Sequence, residues 1–360
     1  MTYRIVHCAD VHLETTFPQT RGGAARRKAL ADAFVRIVDE ALARNADALT
    51  IGGDLYESER AGPQTVRFLF EQFARFGKPI YIAPGNHDPH APSSLLARSD
   101  LPENVRIFNE AAWRPYPLAE NITLFGFGHT PAEPGRPFEN VRFERGGVQL
   151  ALVHGSDEGD CPPDKRATAP FTKAEVLASN ATLLLTGHYH GGYVAMKGKQ
   201  PVFAYPGSPE PIKFGESSVH GALLVTIEGE SARVTPLATA RTRLLALRCD
   251  LSDVTSENGA FAKIEAVLAD FGRDDYVRLT LHGGVAPGTR LDTALMEERL
   301  GVSLGSLAIE DGTTSHDYPS IAREPTVRGH VVRDLLDAGL EGAAALKYAL
   351  AAFDGADIAP

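Results

Sequence analysis

Tyr3-Arg4-Ile5-Val6-His7-Cys8-Ala9-Asp10-Val11-His12 decides the reading of this chain. Residues 3–9 form a short, largely apolar run that ends in two metal-ligand types, Asp10 and His12. The same design returns four times. Residues 48–51 precede Gly52-Gly53-Asp54, and residues 79–83 precede Gly85-Asn86-His87-Asp88. Residues 148–153 precede His154-Gly155, and residues 182–186 precede Gly187-His188-Tyr189-His190. Each run has the length and polarity of a buried central strand. In an open α/β sheet the carboxyl ends of the strands share one rim, and ligands bind there. Residues far apart in the chain can therefore meet at one point.

The stretches between these runs fit that picture. Residues 24–44 place Ala25, Leu30, Ala33, Phe34, Ile37, Val38, Ala41 and Leu42 at helical spacing. Residues 65–76 repeat the pattern with Val66, Leu69, Phe70 and Phe73, and Pro63 stands where a helix start favours it. Strand and helix alternate, which predicts parallel strands with right-handed crossovers. From about residue 105 strands dominate, and only 173–179 reads as a helix. This part is expected to form a second, mainly antiparallel sheet packed on the first. Three domains are expected: 1–240, an α+β unit at 241–310 that caps it, and a linker with C-terminal helices at 311–360. The helix candidates there are 331–338 and 343–353, separated by Gly339 and Gly342.

Composition is that of an ordinary globular enzyme, with 43% hydrophobic and 23% charged residues in 360. Cys8, Cys161 and Cys249 form no CxxC pair, so a disulfide framework or thiolate zinc site is not expected, and a reducing cytoplasm is. With a strand expected from Tyr3, a secretory signal is not expected. No run approaches the ~18 apolar residues that span a bilayer. The net charge of −10 is concentrated beyond residue 240. It argues against bulk affinity for nucleic acid and leaves room for a phosphate held at a local site.

Asp10 and His12 stand two apart at a strand end, so both side chains are expected on one side; His188 and His190 repeat the spacing. A carboxylate can bridge two cations. Asp10, His12, Asp54 and His190 are assigned to one metal, and Asp54, Asn86, His154 and His188 to the other. Imidazole mixed with carboxylate suits Mn, Fe or Zn better than Ca or Mg; Mn²⁺ is the expected ion. Two such ions ~3.5–4 Å apart can activate water and clamp an in-line phosphoryl displacement. His87 is left over among these ligands. It is expected to steady the phosphate and protonate the leaving oxygen, with Asp88 orienting its ring.

This set of motifs resembles the calcineurin-like metallophosphoesterase superfamily, in which D-x-H, G-D, G-N-H-D, H and G-H-x-H supply a dimetal site. The resemblance implies a four-layer α/β/β/α sandwich. A narrower likeness joins Ala9-Asp10-Val11-His12-Leu13, Gly53-Asp54-Leu55-Tyr56, Gly85-Asn86-His87-Asp88-Pro89 and Tyr205-Pro206-Gly207-Ser208-Pro209-Glu210. It is to the SbcD-type DNA repair exonucleases, within them the YhaO-like branch. It covers about residues 1–240. It implies a Mn-dependent phosphodiesterase acting on DNA ends, often beside a large coiled-coil, SMC-like ATPase, and relatives commonly form homodimers. One departure stands out: some relatives carry a second catalytic histidine three residues after the bridging aspartate, where this chain has Glu57.

Tyr205 and Ser208, with Arg26 and Arg27, are the expected substrate-binding residues. Arg21, Arg26, Arg27 and Lys28 read equally well as phosphate contacts or as a solvated helix face. His7 reads as a packed strand residue, His90 as solvated, and His129, His220, His282, His316 and His330 have no ligand-type neighbour at useful spacing. Trp113 reads as a partly buried anchor, and Lys197 and Lys199 as a hairpin turn. The expected function is a metal-dependent DNA exonuclease or endonuclease in DNA repair. The alternatives are a phosphoesterase for small nucleotides or other phosphate esters, and a non-catalytic scaffold subunit of an SMC-like ATPase complex.

Overall fold

The computed structural model describes residues 2–17, 22–144, 146–159, 166–216, 219–252, 254–285, 289–314 and 318–353. Arg21, Cys161 and His316 lie outside them. The chain opens with β1 (Thr2–Cys8), α1 (Gly23–Ala43), β2 (Ala48–Ile51), α2 (Pro63–Phe76), β3 (Ile80–Ile82) and β4 (Val105–Ile107). Leu30, Ala33, Phe34, Ile37, Val38 and Ala41 form the buried stripe of α1. Pro63 begins α2, where its missing N–H costs nothing, and Gly77 closes it at φ 68°.

Next come β5 (Arg114–Ala119), β6 (Ile122–Phe127), β7 (Val148–His154), α3 (Lys173–Ala178), β8 (Leu183–Gly187), β9 (Tyr193–Lys197), β10 (Gln200–Tyr205), β11 (Gly221–Glu228) and β12 (Ser231–Ala238). They complete one six-stranded sheet, β12-β11-β1-β2-β3-β4, and build another, β5-β6-β7-β8-β10-β9. The second sheet corrects the expectation of mainly antiparallel pairing. β6, β7, β8 and β10 run parallel, and only the edge pairs β5/β6 and β9/β10 are antiparallel. Its crossovers are mostly irregular chain rather than helices, so the alternation that signals parallel strands was missing. Edge strands β5 and β9 were not foreseen. Pro115 and Pro117 mask β5, and proline is tolerated there because an edge strand leaves one side unpaired.

Side-chain alternation sorts the layers. Val6, Leu49, Ile51 and Ile82 face α1 and α2. Ile5, Ala48 and Tyr81 turn the other way and pack against Leu150, Leu152, Leu183 and Leu185 between the sheets. Ala151, Val153, Leu184 and Phe203 face an outer layer of α3 and aromatic-rich loops, with Phe138, Phe143 and Phe171. Trp113 belongs to this cluster, its ring centroid 4.9 Å from that of Phe138, which fits its reading as an anchor. Each fully buried side chain of this size contributes roughly 1.5–3 kcal/mol. The result is a mixed α/β fold with the carboxyl ends of β1, β2, β3, β7 and β8 at one rim.

The chain divides into two compact units, Met1–Leu244 and Leu245–Pro360. In the second, β13 (Arg243–Asp250), α4 (Glu257–Leu268), β14 (Asp275–His282), α5 (Thr293–Leu300) and β15 (Ser306–Asp311) form a three-stranded sheet with two helices. Ile264, Val277, Leu279 and Leu281 lie in its core. α6 (Tyr318–Ile321), α7 (Val327–Asp337) and α8 (Gly339–Phe353) follow. α8 runs through Gly342 rather than starting after it. No helix among the described residues is long and apolar enough to cross a membrane.

Candidate metal centre

The rim is built on unusual backbone. Asp10, His12 and Asp54 have φ values of 53°, 49° and 51°, and His188 has 108°. Non-glycine residues seldom adopt this left-handed region, and four of them at one place mark a strained site. Ladder-like bonds hold the conformation: Asp10 N donates to Gly53 O at 3.0 Å and His12 N to Asp54 O at 2.9 Å. Asp10 and His12 thus lie beyond β1, and turns rather than strand alternation bring them together. Two glycines make the approach feasible. A Cβ on Gly53 (φ 88°) would lie 2.6 Å from His154 Nδ1, and one on Gly85 2.3 Å from Asp54 Oδ1.

Asp54 is at the centre. Its Oδ1 accepts from the backbone N–H of His87 at 2.8 Å. Its Oδ2 lies 3.6 Å from His12 Nε2 and 3.2 Å from His154 Nε2. A single oxygen therefore lies within 3.6 Å of two imidazole nitrogens. Asp10 Oδ1 is 4.0 Å from His12 Nε2, and Asn86 Oδ1 is 3.0 Å from His154 Nε2. Asp10, His12 and His190 form one potential ligand group and Asp54, His154 and His188 another; a third, His12, Glu57 and His87, overlaps the first through His12 and includes the more exposed His87. The seven expected ligands are thus brought together. His12 Nε2 is buried without a hydrogen-bond partner. Such an orphaned nitrogen, facing two carboxylates, fits a divalent cation.

The outer nitrogens are fixed as well. His12 Nδ1 donates to Glu57 Oε1 and His190 Nδ1 to Glu216 Oε1, both at 2.8 Å. His154 Nδ1 donates to the Gly52 carbonyl at 2.8 Å, tying the second sheet to the first. His188 Nε2 meets the Arg166 carbonyl at 3.2 Å. Burial works against a charged His154, yet Asp54 outweighs it and holds the pKa up at about 9. In return, against its own burial, Asp54 is drawn well below the ordinary carboxylate range, chiefly by His154.

His87 is the open member: its side chain is 44% exposed, against 9% or less for His12, His154 and His190. Its ring lies 4.8 Å from that of His12. Asp88 does not orient it. Asp88 is buried and accepts from the backbone N–H groups of Asp54 (3.0 Å), Leu55 (2.8 Å) and Gly85 (2.7 Å). Three such bonds pin the Gly53-Asp54 turn to the Gly85-Asn86 turn. Burial and the Asp54 charge push the Asp88 carboxyl up to about 6. Glu57 takes the orienting place: Oε2 accepts from His87 Nδ1 at 2.8 Å. That bond raises the His87 pKa. Despite partial burial, bonds from His12 and His87 hold Glu57 at about 2. Its position three residues after Asp54 was the available signal. Glu216 had no local signal, because its partner is 26 residues away.

Three of the four expected substrate-binding residues are structural instead. Arg26 is fully buried, bonded to Thr242 Oγ1 and the Pro211 carbonyl, with Glu210 at 3.9 Å. Tyr205 is buried; its hydroxyl donates to the Gly155 carbonyl at 2.7 Å and accepts from Asp157 N at 2.9 Å. It braces the loop after His154. Ser208 is buried beside His220. Glu210 accepts from Arg36 Nη2 (2.6 Å), Arg241 N (2.9 Å) and Thr242 Oγ1 (2.6 Å). The 205–210 turn is thus a latch to α1. Arg27 alone is exposed.

His7 is packed as expected, between Thr50 Oγ1 and the Thr186 carbonyl. His129 is nearer the site than expected: buried, it donates from Nε2 to the His154 carbonyl at 2.7 Å. A cleft of about 260 Å³ adjoins the ligands, reached past Asn86 and His188 and walled by His129, Thr130, Arg166 and Thr168.

The calcineurin-like phosphoesterase family profile matches residues 3–192. The chain is similar to the uncharacterized metallophosphoesterase YhaO of Bacillus subtilis, 26% identical over 239 residues, or 62% of this chain and 57% of that protein. It is also similar to the DNA double-strand break repair protein Mre11 of Aeropyrum pernix, 23% identical over 303 residues, or 78% and 72%. The match thus spans little more than half the length of YhaO. A dimetal phosphatase from Danio rerio aligns at 12% identity with a TM-score of 0.43, over 64% of this chain and 98% of that one.

Proposed function

The chain belongs to the calcineurin-like phosphoesterase family of phosphate-ester hydrolases, and from that premise we propose that it is a manganese-dependent phosphodiesterase acting on DNA ends in repair. The placement of Asp54 Oδ2 between His12 Nε2 and His154 Nε2 carries the dimetal part of this reading. Similarity to Mre11 supports the DNA part. A large coiled-coil ATPase partner, a homodimer and a cytoplasmic location belong to the same reading.

Asp10, His12, Asp54 and His190 would hold one ion, and Asp54, Asn86, His154 and His188 the other. Bound there, two divalent cations lower the pKa of water and neutralise phosphate charge. The chain does the rest. The His87 N–H bond to Asp54 Oδ1 holds the carboxylate with Oδ2 toward His12 Nε2 and His154 Nε2, where it would serve both ions. Glu57 fixes the proton on His87 Nδ1, so Nε2 is the nitrogen presented to substrate. With Nδ1 held by Glu57, His87 delivers a proton from Nε2 to the leaving oxygen. Asp88 keeps the two ligand turns in register.

The test is Mn²⁺-dependent release of nucleotides from end-labelled linear duplex DNA, with closed circular DNA, cyclic nucleotides and bis-p-nitrophenyl phosphate in parallel. Cleavage of linear DNA supports the reading. Hydrolysis of cyclic nucleotides with no action on any DNA would replace it with the small-ester reading.

A further inference from the structure

Two glutamates outside every expected ligand set back the same half of the centre. Glu57 meets His12 Nδ1 and Glu216 meets His190 Nδ1, each at 2.8 Å. Both histidines belong to the group with Asp10. In the other group, the outer nitrogens of His154 and His188 meet the carbonyls of Gly52 and Arg166. The remaining ligand there, Asn86, is neutral. We propose that Glu57 and Glu216 are positioning residues that make the Asp10–His12–His190 site the tighter of the two and its ion the resident one.

A carboxylate behind an imidazole fixes the tautomer, so that Nε2 offers its lone pair, and strengthens that nitrogen as a donor; a carbonyl fixes the tautomer with less charge. Charge then adds to the effect. One cation would sit among Asp10, Asp54, Glu57 and Glu216, whereas the other would share Asp54 and draw on the Asn86 carbonyl. The two carboxylates are themselves held in place. Glu216 Oε2 accepts from Ile212 N at 2.7 Å, and Glu57 is held on its far oxygen by His87. Neither carboxylate can swing away without losing a second partner. Through Glu57, occupancy of the tighter site and the pose of His87 depend on one side chain.

This inference rests on the dimetal reading of the site and not on DNA as substrate, so its test uses metal alone. Chelator-stripped protein is titrated with Mn²⁺ in a calorimeter, and retained metal is counted by mass spectrometry after dialysis. Two steps at least tenfold apart are expected, with one ion retained. Glu57→Gln and Glu216→Gln should each weaken the tight step by about 10- to 100-fold. Glu57→Asp and Glu216→Asp, which keep the charge, should weaken it less. Asn86→Ala should abolish the weak step and spare the tight one. Circular dichroism establishes folding of each variant. Two indistinguishable steps, a tight step untouched by both glutamine variants, or loss of the tight step in Asn86→Ala would overturn the proposal. No outcome of a nuclease assay enters the test.

Discussion

His87 Nδ1 and Glu57 Oε2 are joined at 2.8 Å, with the histidine open to solvent and the glutamate mostly enclosed. The pair commits Nδ1 of His87 to Glu57, so Nε2 is the nitrogen that the proposed mechanism turns to substrate. If that nitrogen delivers a proton, its value depends on the leaving group. His87→Ala should lower turnover of an alkyl phosphodiester by about 10²- to 10⁴-fold. It should lower turnover of a p-nitrophenyl ester far less, because p-nitrophenolate departs without a proton. Equal losses on both esters would place His87 in phosphate binding instead. Full activity on the alkyl ester would remove it from the mechanism.

Asp88 yields a different expectation. Its three acceptor contacts are all to backbone N–H groups in the interior. An asparagine would turn an NH₂ toward donors and leave at least one of them unsatisfied. Asp88→Asn should therefore destabilise the protein by about 2 kcal/mol or more, seen as a lower urea midpoint at unchanged m-value. A variant with wild-type stability and only a loss of turnover would return Asp88 to the role of orienting His87.

Arg26 and Arg27 are neighbours in sequence with opposite surroundings. Arg26 sits fully buried with Glu210 and Thr242, while Arg27 is solvent-exposed. Arg26→Ala removes a fully buried side chain and leaves the Pro211 carbonyl without its donor, while Glu210 keeps Arg36; it should cost about 1–3 kcal/mol of stability. Arg27→Ala should leave the melting temperature unchanged. If Arg27 contacts a phosphate, the salt dependence of DNA binding should lose roughly one unit of slope. Identical salt slopes for wild type and Arg27→Ala would make it a solvated helix residue.

The contrast shows what the sequence could reveal. Five apolar runs ending in ligand-type residues disclosed the rim and the seven side chains that gather there, because strand burial and ligand chemistry are both local properties. Partner choice is not local. Glu57 reaches His87 across 30 positions, and Arg26 reaches Pro211 across 185. Spacing cannot tell a buried arginine from a solvated one when both lie on an amphipathic helix. Nor could it tell that Tyr205 braces Gly155 rather than touching substrate. The left-handed backbone at Asp10, His12 and Asp54 was equally hidden, since those residue types do not require it.

The His154–Asp54 pair makes metal and acidity compete for one nitrogen. His154 has a folded-state pKa of about 9, against about 6.5 for an unperturbed histidine. A raised histidine pKa stabilises the fold fully below the unfolded value, and that contribution is lost as pH rises through the folded one. Chelator-stripped protein should therefore lose melting temperature between about pH 7 and pH 10. Asp54, held low, contributes above its unfolded value and loses that part only as pH falls below it, outside this interval. Metal needs the neutral imidazole, so uptake must expel the His154 proton below pH 9. Mn²⁺ affinity should rise over the same interval in which the stripped protein weakens. Calorimetry in buffers of different ionisation enthalpy should register proton release at pH 7.5 and little at pH 10. A stripped protein whose stability is flat or rising across that interval, or metal uptake without proton release at pH 7.5, would show that His154 is already neutral and that Asp54 does not hold it charged.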